Sequence, residues 1–179
     1  GTKKVVVTIT ATGCKDSCNA EITQGIGVPN VNAGPDKVLN CLVTQVNLSG
    51  SSSTPGVTYS WVPSNGGNIV SGANTATPLV NAAGTYTLTV TAPGGCTATD
   101  VALVTQDITK PLLSCSGDEL TCDSLLASAK VTSNPNVGVT YLWTPEPSSG
   151  QGTAHARYNA SGTKKVVVTI TATGCKDSC

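Results

Sequence analysis

The sequence predicts an all-β protein made of tandem antiparallel sandwich modules, about 80 residues each and braced by disulfides. Three observations carry this prediction. Val and Thr, which favour pleated, half-buried strands, dominate together with the turn formers Gly, Asn, Pro and Ser. Apolar side chains alternate with polar ones over short windows, and no long window shows helical spacing. The chain also repeats itself, identically at one offset and approximately at another.

The identical repeat is GTKKVVVTITATGCKDSC, found at residues 1–18 and again at residues 162–179, an offset of 161 (162 less 1). Divergence rarely leaves eighteen positions unchanged, so the simplest account is a tandem unit of that length. Inside the unit, Gly56-Val-Thr-Tyr-Ser-Trp61 matches Gly138-Val-Thr-Tyr-Leu-Trp143, and Leu39-Asn-Cys41 matches Leu120-Thr-Cys122. Thr87 to Thr91 with Gly94-Gly-Cys96 matches Val167 to Thr171 with Gly174-Cys175. The expected organisation is a terminal hairpin of an upstream module over 1–24, a first module over 25–106, and a second over 107–179 whose last strand is cut short. Pro29 and Pro111 stiffen the joints and interrupt ladder hydrogen bonds there. The natural polypeptide is expected to continue past Cys179 with something like residues 19–24.

Strands follow from the alternation. Val46 and Leu48 mark one, and Val57, Tyr59 and Trp61 the next. Tyr86, Leu88 and Val90 share a face, with Thr85, Thr87, Thr89 and Thr91 on the other. An apolar inner face and a Thr outer face suit an antiparallel sheet. Turn clusters such as 51–56 and 92–95 recur about every ten residues, the spacing of a sandwich of about seven strands.

Val31-Asn-Ala-Gly-Pro-Asp-Lys37, Val46-Asn-Leu-Ser-Gly50, Thr58-Tyr-Ser-Trp61 and Gly84-Thr-Tyr-Thr-Leu-Thr-Val90 together resemble an Ig-like module of the PKD type. With Gly94-Gly-Cys-Thr-Ala-Thr99 the module is similar to the tandem repeats of giant Bacteroidota cell-surface adhesins, including the SprB-type gliding adhesins. The second module fits less closely: Ala33-Gly34-Pro35 becomes Ser114-Cys115-Ser116, and Tyr86 becomes Lys164. The resemblance implies stalks of secreted adhesins exported by the type IX route.

Eight cysteines and a single His favour disulfides over metal ligation, and disulfides imply an oxidising, extracellular compartment. The spacing of Cys14 and Cys18, repeated in Cys175 and Cys179, superficially resembles zinc spacing, but the two turns are copies far apart in the chain. In the register of the resemblance the expected bridges are Cys41–Cys96, Cys122–Cys175 and Cys115–Cys179. Cys14 and Cys18 are then assigned to the upstream equivalents of Cys122 and Cys115, with a local Cys14–Cys18 bridge as the alternative. A clasp between first and last strands suits a chain under tension.

Catalysis is not expected. His155, the only histidine, lies in a turn-rich stretch without a nucleophile motif. Asp118 and Glu119 invite a calcium reading, but no Asp-x-Asp-x-Asp loop is present, so no cofactor is expected. Trp61, Trp143 and Tyr86 are expected in the core instead of on a carbohydrate platform. The sequons at Asn47 and Asn159 read as chance matches. Asp123-Ser124-Leu125 resembles a Bacteroidota O-glycosylation motif, making Ser124 a candidate acceptor. Lys plus Arg and Asp plus Glu are 10 each, so the net charge is zero and no basic face is available for nucleic acid. No run of apolar residues is long enough to cross a membrane as a helix.

These features predict a structural repeat unit of a long extracellular filament or stalk whose partners are neighbouring copies, with surface polysaccharide as a ligand of a distal tip. The alternatives are an adhesive carbohydrate-binding module and a pilin-like subunit joined by strand donation. Because the second module carries most of its own last hairpin, no open groove is expected in it.

Overall fold

Short alternating segments separated by Gly, Pro and Ser turns give fifteen strands among the described residues. The computed structural model describes residues 2–21 and 27–179. The expected joint over 22–29, and the end of the leading segment at residue 24, fall partly outside them.

Strands β1 (Thr2–Thr8) and β2 (Lys15–Glu21) form an antiparallel hairpin with Val5 opposite Cys18. Every residue of both strands is exposed.

The next seven strands form a sandwich of two sheets. One sheet orders β3 (Lys37–Asn40), β9 (Thr97–Asp107), β8 (Gly84–Thr91) and β5 (Thr58–Ser64). The other orders β4 (Val46–Asn47), β7 (Leu79–Val80) and β6 (Ile69–Ser71). All pairings are antiparallel except β3 on β9, which is parallel, with Asn40 level with Asp107. Before β3 the chain bridges Asn32 to Ser51. The opening segment thus starts beside one sheet and crosses to the other, as the first strand of an Ig-like sandwich does. The core is Ala33, Leu39, Leu48, Trp61, Val80, Tyr86, Leu88, Val90, Ala102 and Val104. Burying each of the larger apolar side chains contributes about 1.5–3 kcal/mol.

The period-two pattern of β8 places Tyr86, Leu88 and Val90 inward and leaves the Thr residues half-buried. The Tyr86 hydroxyl donates to the Ala82 carbonyl (2.7 Å) and accepts the Asn68 N–H (2.9 Å). This is the tyrosine corner of Ig-like sandwiches, which pins the turn entering that strand.

The second sandwich pairs β10 (Leu112–Gly117), β11 (Ala127–Asn134) and β13 (His155–Tyr158) in one sheet. The other holds β12 (Val139–Thr144), β14 (Lys165–Ile170) and β15 (Lys176–Ser178). Its core is Ala129, Val131, Trp143, Ala156, Tyr158, Val166 and Val168. Trp61 and Trp143 occupy matching strands and are anchored alike, each indole N–H donating to a carbonyl, of Thr75 (3.0 Å) and Thr153 (2.8 Å) respectively. Where the first sandwich has Tyr86, the second has Lys164. Its ammonium donates to the Ser161 carbonyl (3.2 Å) and lies 4.7 Å from the centre of the Tyr158 ring. Burial pushes the Tyr158 phenol upward in pKa, and its hydroxyl donates to the Pro145 carbonyl (3.0 Å).

Candidate functional site: a strand groove and a cystine junction

The chemistry-bearing residues cluster where one sandwich meets another. β9 leads through a short joint into β10, so residues at the far end of β9 sit beside the start of the second sandwich. Because β3 runs parallel to β9, Cys41 emerges at that same end. The turn between β14 and β15 brings Cys175 there, and Cys41 and Cys175 form a disulfide with a Cα–Cα distance of 5.1 Å. Around it, the Leu42 N–H donates to the Thr173 carbonyl (3.0 Å). Asn40 shapes the Cys41 loop, its side-chain carbonyl accepting the N–H groups of Leu42 (3.0 Å) and Val43 (2.8 Å). Gly174, at φ 70°, lies directly under the Leu42 side chain, where a Cβ would overlap it.

This pairing overturns two expected bridges. Cys41 is not joined to Cys96, nor Cys122 to Cys175; Cys96 and Cys122 are free thiols, as are Cys14 and Cys18. The reason is strand direction. Cys96 precedes β9 and Cys41 lies level with its other end, so they are separated by the strand, roughly 35 Å at about 3.3 Å per residue. A disulfide spans Cα atoms about 4.4–6.8 Å apart. The bridge therefore joins two sandwiches instead of bracing one. Cys14 is the copy of Cys175, so its assignment to an upstream equivalent of Cys122 falls with the bridge Cys122–Cys175. Cys115 and Cys179 are joined, with Cα atoms 6.2 Å apart, linking β10 to the chain just beyond β15.

The second feature is a groove. In the first sandwich, Ala102 and Val104 of β9 fill the core and β9 holds β3 in place. In the second sandwich, β15 reaches only as far as Ser178 opposite Val167, and Cys179 exchanges hydrogen bonds with Val166. Beyond that lies a cavity of about 580 Å³, lined among others by Leu120, Ala129, Trp143, Tyr158 and Lys164. β15 spans three residues where β9 spans eleven, as expected for a last strand that is cut short. Residues 118–121, the counterparts of β3, belong to no strand, and 118–120 line the cavity.

Other sequence-selected residues lie elsewhere. His155 is exposed on β13. Ser124 is exposed in a turn, its hydroxyl donating to the Leu126 carbonyl (3.0 Å). Among the described residues, no three His, Cys, Asp or Glu side chains converge as a metal site would require, and Asp118 and Glu119 stand on the groove rim. Trp61 and Trp143 are buried, as expected of core residues. No helix is long and apolar enough to cross a membrane.

No protein-family profile and no curated sequence matches the chain. Solved structures similar to it include the two-domain DIP-gamma IG1+IG2, at 12% identity and TM-score 0.37 over 86% of this chain and 95% of that one. The N-terminal Ig1-2 module of the Drosophila receptor protein tyrosine phosphatase DLAR aligns at 11% identity and TM-score 0.32, over 85% and 95% respectively. Protocadherin Gamma B7 domains 1–4 align at 10% identity and TM-score 0.37, over 99% and 63%. The Ig-like β-sandwich assignment rests on the chain's own strand order, its tyrosine corner and the buried Trp of β5 and β12.

Proposed function

We propose that the chain is a non-catalytic structural repeat unit of a long extracellular filament or adhesin stalk, whose copies follow one another along one continuous polypeptide. The carrying observation is one sequence in two environments. Val166, Val168 and Cys175 are wholly buried, while their identical counterparts Val5, Val7 and Cys14 stand exposed on β1 and the turn after it. A hairpin with that apolar face calls for a sandwich like the second one, supplied by the preceding copy. The modules, in this reading, are the 25–106 and 107–179 segments set end to end, with stability that sums module and neighbour terms. The resemblance to Bacteroidota adhesin repeats favours a bacterial surface, type IX export, a role in gliding, and a distal tip that holds surface polysaccharide.

The exposed apolar face of β1 also favours a second reading, in which the leading hairpin inserts into a separate copy, as in donor-strand fibres. A reducing, denaturing gel of the native protein separates the two. One very large band is expected. A single band near 17.9 kDa would overturn the continuous chain and leave strand donation.

A further inference from the structure

The disulfide Cys41–Cys175 is a junction bond, and its two halves have internal counterparts that are both free. The pseudo-repeat places Cys122 where Cys41 stands and Cys96 where Cys175 stands. The local structure agrees. Residues 40–43 close a turn with the Asn40 N–H donating to the Val43 carbonyl (2.9 Å), and residues 121–124 close the same turn through Thr121 and Ser124 (3.1 Å). Before Cys175, the Gly174 N–H donates to Ile170; before Cys96, the Gly95 N–H donates to Ala92, each at 2.8 Å. Gly95 is also left-handed, at φ 83°, with open space where Gly174 meets Leu42.

Cys96 and Cys122 cannot reach each other within one unit. Cys96 heads β9 at the upstream end of the first sandwich, and Cys122 follows β10 at the downstream end of the second. They lie at opposite ends of the two-sandwich body, both accessible to solvent.

We infer that Cys122 of one copy is joined by a disulfide to Cys96 of the copy that follows it. Every junction of the polymer is then stapled by the same device, Cys41–Cys175 within a unit and Cys122–Cys96 between units. The inference rests on the end-to-end reading above. The repeat also gives Cys14 and Cys18 partners in the preceding copy, equivalent to Cys41 and Cys115.

The bond forms by thiol–disulfide exchange with an oxidant disulfide, that of an exchange protein or of glutathione. The Cys122 thiolate attacks it, forming a mixed disulfide and releasing one oxidant sulfur as thiolate. The Cys96 thiolate then attacks the Cys122 sulfur and releases the other. One S–S bond forms, one is reduced, and the two thiol protons end on the oxidant's sulfurs.

The test is disulfide mapping of the native, unreduced protein, trapped with N-ethylmaleimide in acid and digested without reductant. A peptide bearing Cys96 linked to one bearing Cys122 is expected, with maleimide labelling of both absent before reduction and complete after it. Labelling of both thiols without reduction, or linkage of either to another cysteine, overturns the staple. So does a cross-link that joins separate polypeptides, visible as a larger species on a non-reducing denaturing gel. The reducing gel keeps the two failures apart: a very large chain with both thiols labelled sinks the staple alone, whereas a single-unit chain sinks the end-to-end reading.

Discussion

Residues 2–18 and 163–179 carry the same letters, fold into the same kind of hairpin and differ in what surrounds them. Around β14 and β15 lie Trp143, Tyr158 and a disulfide to Cys41, so Val166 and Val168 are fully buried. Around β1 and β2 there is solvent, and Val5 and Val7 are 52% and 64% exposed. Hairpin geometry is thus local, set by the alternation and by the left-handed Gly13 and Gly174, both at φ 70°. Burial is supplied by the neighbour. The same letters form strands in both settings and complete a core in one.

Paired substitutions test this contrast directly. The largest effect is expected from a charge on the inward face. Val168→Asp should unfold the second sandwich, a loss above about 5 kcal/mol for an unpaired carboxylate in a packed core. Val7→Asp should leave the melting curve of the 179-residue chain unchanged. Circular dichroism melts decide this, and equal losses would mean that the leading hairpin is packed in solution. The next pair is Cys175→Ser and Cys14→Ser. The bond to Cys41 closes a loop of 134 residues, worth about 5 kcal/mol of unfolded-chain entropy in the simplest model. Urea unfolding should therefore shift strongly for the first variant and not for the second. Smaller again is Gly174→Ala against Gly13→Ala. Both add about 1–2 kcal/mol of left-handed strain locally. Only at 174 does the new Cβ strike Leu42, so only that variant should lower the melting temperature of the second sandwich.

The smallest effect concerns a third hairpin, β8–β9, and one position in it. Asp100 stands there where the other two hairpins have Cys18 and Cys179. In the second sandwich Cys179 ties the last strand to Cys115. In the first, the Asp100 carboxylate accepts the N–H of Ala33 (2.8 Å), which ties the same two segments with a hydrogen bond. That N–H and the Val101 N–H hold the Asp100 carboxyl below the usual aspartate range. A depressed folded pKa stabilises the protein above the unfolded value of about 3.9, and that contribution is lost as pH falls through the folded value. Asp100→Asn should lower the melting temperature slightly at neutral pH, with the difference vanishing in strong acid. A difference that persists at pH 2 would assign the effect to something other than the charge.

The all-β class, the positions of Trp61, Trp143 and Tyr86 and the strand β8 were legible because period-two alternation reports directly on which face is buried. Of the cystines, Cys115–Cys179 was legible as a link between first and last strands, whereas the partners of Cys41 and Cys175 were not. Matching cysteines in two similar modules look like pairs within each module, and only the parallel pairing of β3 with β9 shows that Cys41 and Cys96 sit at opposite ends. A crossover of that kind leaves no periodicity behind.

The bond from Cys41 to Cys175 has a consequence for a unit pulled from its two ends. The force path enters near residue 27, crosses the sulfurs and leaves within a few residues, bypassing everything between. The loop that the bond closes, a sequence separation of 134, is hidden length: about 450 Å of contour that is withheld while the cystine is intact and released when it is cut.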